Sequence, residues 1–272
     1  MAEPPVEPEL VRRDPWLKPF APVINQRLER VENARARLTD NRMSLADFAS
    51  GHEYFGLHRT AEGWVFREWA PNADAVYMVG PFSDWKERDE FACKRLGANG
   101  AWEIQLPRQV LAHGDHYKLV IRWPGGRGER IPAYARRVTQ DSDTKIFAAQ
   151  VWAPPEPYNW QYPDFEPLTE APLVYECHIG MAQEEPKVGS YTEFRETILP
   201  RIVDAGYNTL QLMAVQEHPY YGSFGYQVSS FFAASSRFGT PRELKSLIDA
   251  AHGAGMTVIM DLIHSHSSPN EA

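Results

Sequence analysis

A carboxylate and two imidazoles crowd the end of one apolar run. In MTVIMDLIHSH, residues 256–266, the run Met256–Met260 is followed at once by Asp261, His264, Ser265 and His266. A carboxylate and an imidazole can fix the hydroxyls of a polyol ligand, exchange protons with it, or hold a metal ion. An apolar run bounded by Gly255 reads as a parallel strand buried on both faces. The carboxyl ends of such strands are where α/β folds bind ligands. The plainer reading of Asp261 is a strand-end carboxylate that caps local amides.

The elements that must position these residues alternate strand and helix. Leu173–His178 is a first strand. Tyr191–Ala205 is a helix with Phe194, Ile198 and Ile202 on one face, kinked or divided by Pro200 and closed by Gly206. Thr209–Val215 is a second strand. A second helix starts at Thr240 as N-cap, with Pro241 at its first position and Glu243 completing a capping box. Its Leu244, Leu247, Ile248 and Ala251 follow helical spacing, and Gly253 or Gly255 stops it. Strand 256–260 is the third. Repeated βα units require a parallel sheet with right-handed crossovers. A complete (β/α)8 barrel takes about 250 residues, so residues 173–272 supply either its first three units or a small open sheet.

Upstream the character differs. Residues 1–20 are proline-rich (Pro4, Pro5, Pro8, Pro15, Pro19) and read as an extended arm. Ile24, Leu28, Val31, Ala34 and Leu38 mark an amphipathic helix over Val23–Leu38, and Leu45–Phe48 a short further turn. From about residue 54, short strands are expected at Gly63–Trp69, Ala75–Val79, Trp102–Leu106 and Tyr117–Trp123. In the last, Tyr117, Leu119, Ile121 and Trp123 share one face, with Lys118 and Arg122 on the other. This is a β-sandwich. Residues 153–172 carry six prolines and read as a semi-rigid connector. The expected domains are therefore 1–53, an arm and helix; 54–152, a sandwich; 153–172, a linker; and 173–272, a partial barrel.

The chain has 272 residues and a formal net charge of −8, with its basic residues dispersed. That argues against nucleic acid and anionic membrane as partners. Its 8 Trp, 12 Tyr and 13 Phe suit a ligand with stacking faces, although most aromatics are core. Cys93 and Cys177 form no ligand or disulfide pattern. With no signal peptide visible at the start and no run of membrane-spanning length, a cytoplasmic location is expected.

Several segments together resemble a family. YECHIG (175–180), the long run from LPRIVDAGYNTLQLM through FGYQ to DLIHSHSS (199–268) and DPWLKPF (14–20) are similar to the 1,4-α-glucan (glycogen or starch) branching enzymes of the α-amylase clan, of the eukaryotic-like type. EYFGLHR (53–59), REWAPNADAVYMVGPFSDW (67–85) and DHYKLVI (115–121) resemble the glucan-binding sandwich module that precedes their barrel. The resemblance implies a (β/α)8 TIM barrel and an α-glucan such as glycogen, amylose or starch as partner, with no cofactor. The reaction implied transfers an α-1,4-glucan segment to a 6-hydroxyl.

Roles follow by resemblance too. Asp261 would order the reacting sugar subsite and His266 would hydrogen-bond that sugar. Tyr226, in FGYQ, would stack beneath its ring, and Gln227 and His218 would shape the acceptor groove. Trp69 and Pro71, in WAP, would touch glucan on the sandwich. Trp69, Trp85 and Trp102 each read as core or as sugar platform, Glu176 and Cys177 as barrel packing, and His264 as structural. Branching with retained configuration needs a nucleophilic Asp and an acid–base Glu after strands four and five. No carboxylate here matches those positions. The 272 residues are therefore expected to be the N-terminal portion of a longer enzyme, inactive alone, with an unpaired sheet edge. Two rivals stand beside this: a glucan-binding protein without catalysis, and a debranching hydrolase of the same clan. A third reading makes the His264-x-His266 pair a metal site joined by His178 or His218.

Overall fold

The computed structural model of the chain describes residues 7–168 and 171–269. It divides into two compact units, residues 1–54 and 55–272. In the first, α1 (Glu9–Arg13) and a 3-10 turn (Pro15–Phe20) precede α2 (Ala21–Thr39), α3 (Leu45–Phe48) and α4 (Gly51–Tyr54). The expected extended arm is thus corrected over residues 9–20, while Pro4 and Pro5 lie outside the described residues. Pro8 and Pro15 sit just ahead of or at the first position of their helices, where a missing N–H costs nothing. The Asp14 side chain caps the turn by accepting from Trp16 N at 3.0 Å.

In the second unit the strands first form two antiparallel sheets. β1 (Gly56–Arg59), β2 (Gly63–Trp69), β4 (Lys94–Leu96) and β5 (Ala101–Pro107) lie in the order β1-β2-β5-β4. β3 (Ala75–Val79), β6 (His116–Trp123), β8 (Val138–Gln140) and β9 (Phe147–Gln150) lie in the order β3-β6-β9-β8, with β7 (Gly126–Arg130) also on β6. Alternation sends Trp64 and Phe66, Trp102, Ile104 and Leu106, Val76 and Met78, and Tyr117 and Leu119 into one core. Trp102 is therefore core, its Nε1 donating to Ala70 O at 2.9 Å. Trp69 and Trp85 remain exposed.

The remainder carries β10 (Val174–Cys177), a helix of three segments, β11 (Thr209–Leu212), the short pair β12 (Gln216–Glu217) and β13 (Ser230–Ala234), α7 (Pro241–Gly253) and β14 (Thr257–Met260). The segmented helix runs α5 (Tyr191–Glu193), a π turn (Phe194–Ile198) and α6 (Leu199–Asp204). Pro200 has no N–H to continue the ladder, and Leu199 N donates back to Phe194 O, one residue too far for an α-helix. Thr240 caps α7 as expected, with Glu243 returning a bond to Thr240 N at 2.6 Å. β10, β11 and β14 pair in parallel with Glu176, Gln211 and Ile259 level with one another. Leu210 and Leu212 of the central β11 are fully buried.

β14, by contrast, is an edge strand, and Ile259 and Met260 are 42% and 44% exposed. The expectation that it is buried on both faces is corrected: its apolar composition matches a strand with neighbours on each side, and among the described residues it pairs with β11 alone. Glu176 is also corrected. It is exposed and accepts from Gln211 Nε2 at 3.0 Å instead of packing.

The proline-rich stretch is not a loose connector. Asp249, buried on α7, accepts from Tyr158 Oη at 2.9 Å and from Gln161 N and Tyr162 N at 2.9 and 3.0 Å. Phe165 stacks on His252 at 4.1 Å. Burial alone would raise the Asp249 carboxyl, but these bonds hold it below the ordinary aspartate value. A carboxyl lowered in the folded state stabilises the fold at neutral pH, and that contribution is lost as pH falls through the lowered value. Asp249→Ala should cost about 3 kcal/mol, because it strands two backbone donors. In urea titrations the deficit of Asp249→Asn against wild type should shrink below about pH 4. An equal deficit at pH 7 and pH 3 would contradict the ionised clamp.

Candidate functional site

Asp261 sits where β14 stops, and its N–H makes a last rung to Leu212 O at 2.9 Å. Opposite it stands the loop from His218 to Ser229, which joins β12 to β13. This loop crosses the end of β11 at very close range. A Cβ on Gly225 would lie 1.9 Å from Ala214 O, and Gly225 has φ +89°, so both the approach and the turn require glycine. Phe224 takes the left-handed region too, at φ +53°. The turn delivers Tyr226, whose N–H donates to Ser223 O at 2.9 Å.

Three of the residues singled out by sequence meet here. Tyr226 Oη donates to Asp261 Oδ2 at 2.7 Å. His266 Nε2 lies 2.6 Å from Tyr226 O, and because a carbonyl only accepts, Nε2 carries the proton. His266 Nδ1 is then the acceptor for Ser265 Oγ at 2.8 Å in the neutral ring. The Tyr226 phenol is pushed up to about 12, first by its bond to the Asp261 carboxylate, then by burial. The charges of Asp261 and, less, of Glu176 act in the same direction. The cluster offers a half-buried aromatic ring, a carboxylate and an imidazole at one end of the sheet. It can hold hydroxyls and a ring face.

Gln227 is exposed next to Tyr226, and His264 is exposed. His218 is not in the groove. It is fully buried; its Nδ1 donates to Gln216 O at 2.9 Å and its ring faces Phe238. The adjacent Glu217 is buried as well and accepts from Ser236 N at 2.7 Å and His218 N at 3.2 Å, with burial raising its carboxyl. Among the described residues no three His, Cys, Asp or Glu side chains converge as a metal ion would require. The metal reading therefore lacks a ligand set among them.

A second feature lies on the outer face of the β3-β6-β9-β8 sheet. A groove of about 710 Å³ runs between Trp85, Lys118 and Glu129, Thr139, and the wall Asp141–Ile146. Lys118 Nζ pairs with Glu129 Oε2 at 3.1 Å on its floor. His116 Nε2 and Thr139 Oγ1 are 2.9 Å apart. Asp141 shapes the wall by accepting from Thr144 N at 2.8 Å and Asp143 N at 3.0 Å, bonds that lower its carboxyl. Trp85 is 44% exposed with φ +58°, directly after Asp84 at φ +53°. A bulky residue in that region is strained, and strained aromatics at a groove mark sites better than most. Pro71 lines a smaller depression of about 250 Å³ with Asn72, Ile121 and Trp123. Trp69 is exposed, its Nε1 donating to Asn99 O at 2.9 Å. The groove residue that sequence reasoning ranked behind Trp69 is thus Trp85.

Asp261→Ala should let the Tyr226 phenol fall from about 12 toward the ordinary tyrosine value near 10, followed by the tyrosine 13Cζ shift. No change would mean that something else holds the hydroxyl.

Residues 54–135 match carbohydrate-binding module 48 (isoamylase N-terminal domain), and residues 199–272 match the α-amylase catalytic domain. The chain is 43% identical over 272 residues to a 1,4-α-glucan-branching enzyme of Rhizophagus irregularis, covering 97% of this chain and 39% of that protein. It is 40% identical to the same-named enzyme of Dictyostelium discoideum, covering 96% and 39%. The chain thus spans about two fifths of the length of these relatives. In fold it is similar to the pullulanase of Bacillus acidopullulyticus, with TM-score 0.62 at 18% identity over 78% of this chain and 30% of that one. The group B Streptococcus pullulanase SAP gives 0.60 at 20% identity over 76% and 33%. Over nearly its whole length, then, the chain is similar to 1,4-α-glucan-branching enzymes, with one segment that matches carbohydrate-binding module 48 and one that matches the α-amylase catalytic domain.

Proposed function

We propose that this chain forms the glucan-holding part and one wall of the reacting subsite of a 1,4-α-glucan-branching enzyme. The observation that carries the reading is the convergence of Tyr226, Asp261 and His266 at the carboxyl end of a parallel sheet. In this reading residues 173–272 are the first three βα units of a (β/α)8 barrel, residues 54–152 the sandwich module and residues 153–172 the strap between them. Tyr226 offers its ring face to one glucose, and Asp261 and His266 take its hydroxyls. For His266 to donate from Nδ1 the ring must gain a proton and Ser265 must turn away. The groove beside Trp85 holds an α-1,4-glucan strand by stacking, with Lys118, Glu129 and Thr139 binding its hydroxyls. The two carboxylates of double displacement come from residues other than these 272, so this chain alone binds glucan and transfers nothing.

Two measurements test the reading. Residues 1–272 should co-sediment with glycogen, and Trp85→Ala should weaken that binding roughly thirtyfold, the cost of losing a central aromatic anchor. A loss confined to Trp69→Ala would move the surface to the WAP segment. On amylose, residues 1–272 should form no α-1,6 linkages, whereas a natural-length protein carrying them should form them without releasing reducing sugar. Reducing-sugar release would favour debranching. Turnover by the 272 residues alone would refute the assignment.

A further inference from the structure

Behind the Tyr226 loop lies a pair of imidazoles that the site does not use. His178, at the carboxyl end of β10, is 6% exposed, and neither ring nitrogen has a partner among the described residues. Three aromatic rings enclose it edge to face: Tyr221 at 5.8 Å, Phe224 at 5.4 Å and Phe238 at 5.3 Å. His218 closes the far side of Phe238 at 6.1 Å, with its Nε2 also buried and unpartnered. Tyr221 and Phe224 belong to the turn that delivers Tyr226, two residues further on. The rest of the turn is held at its base, where Arg237 Nη2 donates to Pro219 O at 2.6 Å, by Gly225 against Ala214, and at Tyr226 by Asp261 and His266.

We propose that His178 is a positioning residue for the reacting subsite: as a neutral ring it seats Tyr221 and Phe224, and its protonation unseats the turn that aims Tyr226 at Asp261. Unpartnered buried polar atoms cost free energy, so an ordinary core would place leucine or phenylalanine here. Among the described residues no carboxylate accepts from either ring. Tyr221 and Phe224 present rings, Arg237 beside His218 is cationic, and the Glu217 carboxylate is engaged by Ser236 N and His218 N. Burial foremost, then the charge of His218, holds His178 below the ordinary histidine value, and burial foremost, then Arg237, holds His218 there too. A proton taken from solvent by His178 must therefore open its cage, and two of the three rings that form it, Tyr221 and Phe224, lie on the turn. The consequence for glucan chemistry rests on the Tyr226 reading above; the seating itself does not.

Hydrogen exchange tests the seating without any sugar, so its failure and that of the Tyr226 reading are distinguishable. The amides of Phe224 and Tyr226 are bonded to Tyr221 O and Ser223 O and report the turn. In wild type their exchange, corrected for intrinsic pH dependence, should accelerate as pH falls from 7.5 to 5, approaching roughly tenfold per unit once one-proton opening dominates. His178→Phe fills the cage without a titrating group and should leave the corrected rate constant within about twofold over that range. The Phe66 amide in the sandwich should stay protected in both. Should the variant not fold, the Cε1–H shift of His178 in wild type decides: it should keep its neutral value until the turn amides begin to open. A flat wild-type profile, an unchanged slope in His178→Phe, or a His178 that titrates near the ordinary value with the turn still closed would overturn the proposal.

Discussion

One hydrogen bond, from Tyr226 Oη to Asp261 Oδ2, joins the two halves of the site, and much of the local architecture exists to make it possible. Asp261 can accept it only because β14 stops level with the end of β11, a register fixed by the pairing of Met260 with Leu212. Tyr226 can donate it only because the preceding turn lies against Ala214 at a distance no side chain at Gly225 would allow. The bond keeps the phenol protonated far above neutral pH. An aromatic ring is thereby held in a fixed place beside a carboxylate.

The sandwich is fastened to the α/β part through side-chain contacts as well as through the chain between them. Arg137 Nη1 donates to Gly239 O at 2.6 Å, immediately before the Thr240 cap of α7, while its guanidinium lies over Trp152 at 5.6 Å. Tyr134 stacks on Phe232 at 4.5 Å, and Ala233 belongs to the sandwich core. The proline-rich strap is locked to α7 by Asp249. The Trp85 groove and the Tyr226 cluster thus sit on one compact unit.

Much of this was legible in residue order. Strands Gly63–Trp69 and Ala75–Val79 and the capped start of α7 follow directly from alternation and from Thr240, Pro241 and Glu243. The meeting of Tyr226, Asp261 and His266 followed from family likeness, since nothing local to FGYQ predicts contact with a residue 35 positions on. The strands β1, β4, β7, β8 and β9 escaped notice because they are three to five residues long and carry weak alternation. Burial of His218 and exposure of Glu176 escaped because adjacent residues on a strand end face opposite ways, and only the fold sets which. The Trp85 groove was hidden for another reason: its walls come from β6, β8, β9 and the turn after β3, which are far apart in the chain. Pro8 and Pro15 misled because proline forbids the interior of a helix and not its first turn.

The central claim is that Tyr226, Asp261 and His266 form a wall for one glucose ring. A crystal structure of the natural-length protein bearing this chain, soaked with a maltooligosaccharide, tests it most directly. The account predicts a glucose in van der Waals contact with the Tyr226 ring, with its hydroxyls within hydrogen-bonding distance of Asp261 and His266. A metal ion bridging Asp261 and His266, or an oligosaccharide bound at this end of the sheet without touching Tyr226, would contradict it.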